Sequence, residues 1–174
     1  IPYIDWNFFF TAWELPGRYP EVLGNPAAKE LFDNAQALLK TIDLTARGVY
    51  AFWKAKGEGN DIVLDDGTRL PMLRQQQEKQ NTNPYRSLAD FVAPSGDHIG
   101  GFAVTVLGAD KIAKKYEEAL DDYNAILVKA VADRLAEAFA EYLHARVRKE
   151  WGYGATEQLT REQILAETYR GIRP

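Results

Sequence analysis

Cysteine is absent from this chain of 174 residues, which removes thiolate catalysis, disulfides, Fe–S clusters and Cys-ligated zinc together. Histidine is scarce: His98 and His144 are the only two, too few and too far apart in sequence for a His-rich metal centre. Charge of one sign is not in large excess. The 21 Lys and Arg against 25 Asp and Glu leave a net charge of −4, which argues against a protein that tracks nucleic-acid phosphates. Long hydrophobic runs are missing too. The longest mostly apolar stretch, Ile99 to Ala109, falls far short of the ~20 residues that span a bilayer. The aromatic N-terminus lacks the basic region of a signal peptide. The expectation is a cytoplasmic protein with neither nucleic acid nor membrane as partner.

Hydrophobic residues at 46% and charged residues at 26% suit a folded globular chain. Folding at this length buries about 70% of the surface an extended chain exposes. No repeat and no linker-like stretch divides the sequence, so a single domain over 1–174 is expected. The opening Ile1-Pro2 and the closing Arg173-Pro174 read as the ends of a piece cut from something longer.

Local signals alternate between helix and strand. Asp5 stands before the aromatic run Trp6 to Trp13, where its side chain can cap a short, buried helix. Leu15 to Pro20 is a turn. Asn25-Pro26 offers an N-cap and a proline at the first helical position, and apolar residues then recur at helical spacing to about Lys40. Ala46 to Trp53 favours a strand; Gly57 to Asn60 is a turn, Asp61 to Leu64 a second strand, and Asp65-Asp66-Gly67 another turn. The uncharged Gly100 to Val106 predicts a central strand. From Ala109 to about Lys149 apolar residues return every three to five positions, with no Gly or Pro between; one unbroken helix there would be about 60 Å long. Trp151 to Gly154 ends it. Thr160 to Gln163 is a capping box opening a last helix that runs to near Gly171.

Few of these residues form a reactive constellation. Asp65-Asp66 reads as turn chemistry, and Asp121-Asp122 as solvated acids or a cap. Asp133, Glu137 and Glu141 share one side of a helix and could line a cationic ligand, or be laced by Arg134 and other basic side chains. Gly57-x-Gly59 lacks the third glycine of a dinucleotide cradle, and the Gly100-Gly101 segment enters a strand instead of leaving one. His98 and His144 read as surface or structural histidines. By themselves the residues describe a binding domain more than a self-sufficient catalyst.

Several phrases carry a resemblance. Tyr3-Ile4-Asp5-Trp6-x-Phe8-Phe9 with Gly17-Arg18-Tyr19-Pro20, Leu73-Arg74-Gln75-Gln76, Leu88 to Pro94, Ala132 to His144, and Tyr169-x-Gly171-Ile172-Arg173-Pro174 resemble, in order, the activation domain of cobalamin-dependent methionine synthase. The resemblance implies an α+β fold with a twisted antiparallel sheet, flanking helices and one long helix, about 109–149. It implies S-adenosylmethionine binding in the reductive remethylation of oxidised cobalamin. The cobalamin itself is held by a neighbouring cobalamin-binding domain, and the electron comes from flavodoxin or a flavoprotein reductase. By the same resemblance Asp5 is the partner of the ligand's amine and Arg173 of its carboxylate, with Glu137 and Glu167 near the site. The family's Ala-x-Gly-Tyr segment after Arg-Pro has no counterpart before the chain ends at Pro174, and His98 stands where a tyrosine is usual. A docking module for the cobalamin domain or flavodoxin, without a small molecule, is the alternative.

Overall fold

The first helix begins where the sequence offers a cap. In the computed structural model, which describes residues 1–169 and 171 without the side chains of 153, 161 and 165, Asp5 is extended and its side chain accepts from the backbone N–H of Asn7, opening α1 (Trp6–Ala12). Seven residues are too few to hold a helix in water. Packing holds this one: Phe9 and Phe10 are fully buried, at about 1.5–3 kcal/mol each, and Trp6 stands edge-on to Phe9 and to Phe32 at 5.3 and 4.8 Å. The expected burial is one-sided, since Phe8 stays exposed. Asn25 caps α2 (Pro26–Thr41), with Pro26 at its start.

The described chain divides into two units, residues 1–49 with 103–166, and residues 50–102 with those from 167 onward. The first unit carries α1 and α2 together with α3 (Ala109–Glu118), α4 (Asp122–Trp151) and α5 (Arg161–Leu165). Its main core joins Ile4, Phe10, Ala28, Leu31 and Ala35 to Leu127, Val131 and Ala138 of α4. A second cluster sets Ala109 and Ala113 of α3 against Val128 and Ala132 of α4.

The single helix expected over 109–149 is therefore two, and the long one starts at Asp122. Leu120 N–H donates to Glu117 O at 3.0 Å and Asp121 N–H to Tyr116 O at 2.9 Å, with Leu120 left-handed at φ 57°. This is a Schellman ending with leucine where glycine is usual. Asp121 then caps α4 through Asn124 N–H at 3.0 Å. The fold back lets alanines of α3 meet α4, which a straight rod could not do. At 30 residues, α4 is about 45 Å long, and Gly152 ends it at φ 105°. The last helix is also shorter than expected. It stops at Leu165 instead of near Gly171, because Ala166 is its C-cap and Glu167 turns left-handed at φ 55°.

The sheet is antiparallel and curled, in the order β3-β2-β1-β4, from β1 (Thr45–Glu58), β2 (Asp61–Leu64), β3 (Arg69–Pro71) and β4 (Asp97–Leu107). The β1–β2 hairpin closes on the pair Glu58 and Asp61, with Gly59 at φ 64° in the position where a two-residue turn favours glycine. Gly57 is obligatory for another reason: a Cβ there would lie 2.4 Å from Val92 O and 2.7 Å from Ala89 O. The strand expected at the centre, β4, is last in the order, and none of its residues is buried. Its Gly101 packs on the Trp53 ring, which a Cβ there would meet at 3.2 Å.

In the second unit, Ala55, Ile62, Ala89 and Val92 form a small core. The polar 74–80 stretch is loop, anchored by Arg74. Its guanidinium grips Asp90 through two bonds of 2.7 Å and reaches Asn60 Oδ1 at 3.0 Å.

Candidate functional site

Asp5 carries the most built environment of the expected ligand residues. It is half-buried beside the buried Ile4 and Trp6. Its Oδ1 accepts two hydrogen bonds from Asn7, from the backbone N–H at 2.9 Å and from Nδ2 at 3.0 Å. The flanking side chains bind this segment to α4: the Tyr3 ring stands edge-on to Tyr142 at 6.0 Å, and the Arg134 guanidinium lies 5.7 Å over Phe8. Residues 3–8 thus run beside the 134–142 stretch of α4.

Glu137 belongs to that same stretch and is exposed. With Asp133 and Glu141 it forms the expected row on one side of α4, of which Glu141 is the more covered. Arg134 pairs with Asp133 at 2.5 Å, so the lacing reading holds for Asp133. Asp5 and Glu137 both belong to the first unit, on segments joined by the Tyr3–Tyr142 and Phe8–Arg134 contacts. Glu167 is exposed and belongs to the second unit. Arg173 lies outside the described residues.

The remaining candidates are structural. Asp66 Oδ1 accepts from Thr68 N–H at 2.8 Å, and this bond holds the Asp66 carboxyl below its ordinary pKa. Asp121 is likewise lowered, by the Asn124 side chain first and its backbone second. His98 is exposed; His144 is buried on α4, one turn before the buried Arg148. Among the described residues no group of three acids or histidines could hold a metal, and no helix is long and apolar enough to cross a membrane. A cleft of about 450 Å³ lies between Trp13, Leu31, Asn34 and Tyr123, with Asn34 Nδ2 donating to Tyr123 Oη at 2.8 Å. Neither Asp5 nor Glu137 lines it.

Sequence reasoning passed over Asn7. Its bond to Tyr19 N–H, 2.8 Å long and 12 residues away, leaves no mark in any local pattern. The one local signal was its place two residues after a capping aspartate.

The model of the family described as vitamin B12 dependent methionine synthase, activation domain, matches residues 1–174. The chain belongs to this activation-domain family. A solved structure described as the MetH reactivation domain bound to AdoHcy matches with a TM-score of 0.91 and 45% identity, over 99% of this chain and 59% of that one. The chain thus spans somewhat over half the length of that relative. An activation-domain fold accounts for the pairing of a curled four-strand sheet with a 30-residue helix.

Proposed function

We propose that this activation domain binds S-adenosylmethionine and serves the reductive remethylation of oxidised cobalamin in a B12-dependent methionine synthase. The observation that carries the reading is the match along the whole chain, joined to 45% identity with a reactivation domain bound to AdoHcy. AdoHcy is what S-adenosylmethionine becomes once its methyl group has left.

The ligand presents an α-ammonium group, a carboxylate and a sulfonium. Asp5 receives the ammonium and Arg173 the carboxylate, through the forked donors that suit a guanidinium to that task. Glu137 and Glu167 favour the cationic ligand electrostatically. The cobalamin belongs to a neighbouring domain of the same cytoplasmic methyltransferase, and the electron to flavodoxin or a flavoprotein reductase. The reduced cobalamin, when held by that domain, would supply the electron pair that takes up the ligand's methyl group, and the ligand's sulfur would keep the pair of the broken C–S bond. This chain's residues bind and orient. A nucleophile or general base is not required of them for this transfer.

Calorimetric titration of S-adenosylmethionine into the chain and into Asp5→Asn and Arg173→Ala tests the reading. Binding to the unmodified chain, weakened at least about tenfold in each variant by loss of a charge-assisted contact, supports it. Absence of binding overturns it, and capture of the cobalamin domain without S-adenosylmethionine would then favour the docking module.

A further inference from the structure

Asn7 stands at the centre of a short chain of hydrogen bonds that joins Asp5 to a distant turn. Its N–H and Nδ2 both donate to Asp5 Oδ1. Its own Oδ1 accepts from Tyr19 N–H at 2.8 Å, and its backbone carbonyl from Thr11 Oγ1 at 3.0 Å. Tyr19 is placed in turn by its ring, 5.7 Å from that of Phe32. The amide is held from both ends. Flipped, it would set its NH₂ against the Tyr19 N–H and its oxygen against the Asp5 carboxylate, so one orientation alone satisfies both neighbours.

Both bonds reach the same oxygen of Asp5. Among the described residues, Oδ2 takes part in no hydrogen bond. A helix cap needs only the bond from the backbone N–H. The second bond, from Nδ2, fixes the rotation of the carboxylate, so that Oδ2 is oriented before any ligand arrives. Orientation made in advance is rotational freedom that binding need not remove.

We infer that Asn7 is a positioning residue for ligand recognition, locking Asp5 through Oδ1 so that Oδ2 meets the ligand's α-ammonium group. The inference rests on the assignment of Asp5 as the ammonium partner. It adds that the contact depends on a residue that does not touch the ligand, and through it on the turn at Tyr19.

The test compares AdoHcy with its analogue in which hydrogen replaces the α-amino group. Affinities are measured for the unmodified chain, Asp5→Asn, Asn7→Ala and Asn7→Leu, the last keeping the side chain's bulk. Both Asn7 variants should weaken AdoHcy about five- to tenfold, the scale of an ordinary hydrogen bond because Asn7 acts through Asp5 and does not touch the ligand, and the analogue by less than about twofold on the same scale. Equal loss for both ligands would make Asn7 merely structural and overturn the inference. An unchanged AdoHcy affinity in the Asn7 variants, with a loss in Asp5→Asn, would overturn it while leaving Asp5 in place. No effect of Asp5→Asn, or no binding by the unmodified chain, would remove the underlying assignment and the inference with it. Should the variants fail to fold, NMR of the unmodified chain decides. The Asn7 side-chain amide signals should shift with AdoHcy and stay in place with the analogue, and an identical response to both would count against the inference.

Discussion

Arg148 and Glu157 meet fork to fork: Nη2 donates to Oε1 at 2.6 Å and Nε to Oε2 at 3.1 Å. The Arg148 side chain is 9% exposed and that of Glu157 21%, so little water screens the pair. The pair returns the chain after α4 to the end of that helix. Breaking a buried pair from one side costs about 3–5 kcal/mol, and partial solvation of the acid lowers the figure here to about 2. Urea unfolding of Glu157→Gln should show that loss; a change under about 0.5 kcal/mol, the scale of an exposed pair, would contradict it.

The left-handed Leu120 is 91% exposed, so its side chain contributes almost no packing while its backbone is strained. Left-handed geometry costs a non-glycine residue about 1–2 kcal/mol, whereas glycine's greater freedom in the unfolded chain offsets about 0.5–1 of that. Leu120→Gly should therefore stabilise the chain by about 0.5 kcal/mol. Thermal and urea unfolding would check the sign, and a clear destabilisation would mean that the α3–α4 break is not where the strain lies.

Asp90 makes stability depend on acid. The Arg74 hydrogen bonds, with help from the Ser87 N–H, lower its pKa from 3.8 to about 2. A carboxyl lowered by folding stabilises the folded state above its unfolded pKa, and the contribution fades as pH falls toward the folded one. The stability gap between the unmodified chain and Asp90→Asn should be constant above about pH 5 and shrink from about pH 4 to 2. A gap independent of pH would refute this linkage.

Ligand binding should appear as thermal stabilisation. At a hundred times its dissociation constant a ligand that binds only the folded state adds about 2.7 kcal/mol, or about 5–10 °C in a chain of this size. AdoHcy should raise the melting temperature of the unmodified chain by that amount and that of Asp5→Asn by far less. Equal shifts in both would remove Asp5 from the site.

What could be read along the chain were features whose cause is local. Asp5, Asn25 and Thr160 announced helix starts because a short polar side chain before an apolar run has few other uses. The β1–β2 hairpin followed from glycine at its turn. The family phrases pointed to the ligand chemistry, and Arg173 and Glu167 are proposed from that source alone. Three matters were decided in space. The break at Leu120 was hidden because leucine rarely ends a helix, and the packing of Ala109 and Ala113 on Val128 and Ala132 favours the fold back. The edge place of β4 was hidden because glycine packed on a tryptophan ring looks, in sequence, like double burial. Cysteine's absence and histidine's scarcity removed thiolate chemistry and a His-rich metal centre, and binding and orientation is the role proposed for what remains. Which residues orient was left to the tertiary structure, because a hydrogen bond from Tyr19 to Asn7 joins positions that nothing along the chain connects.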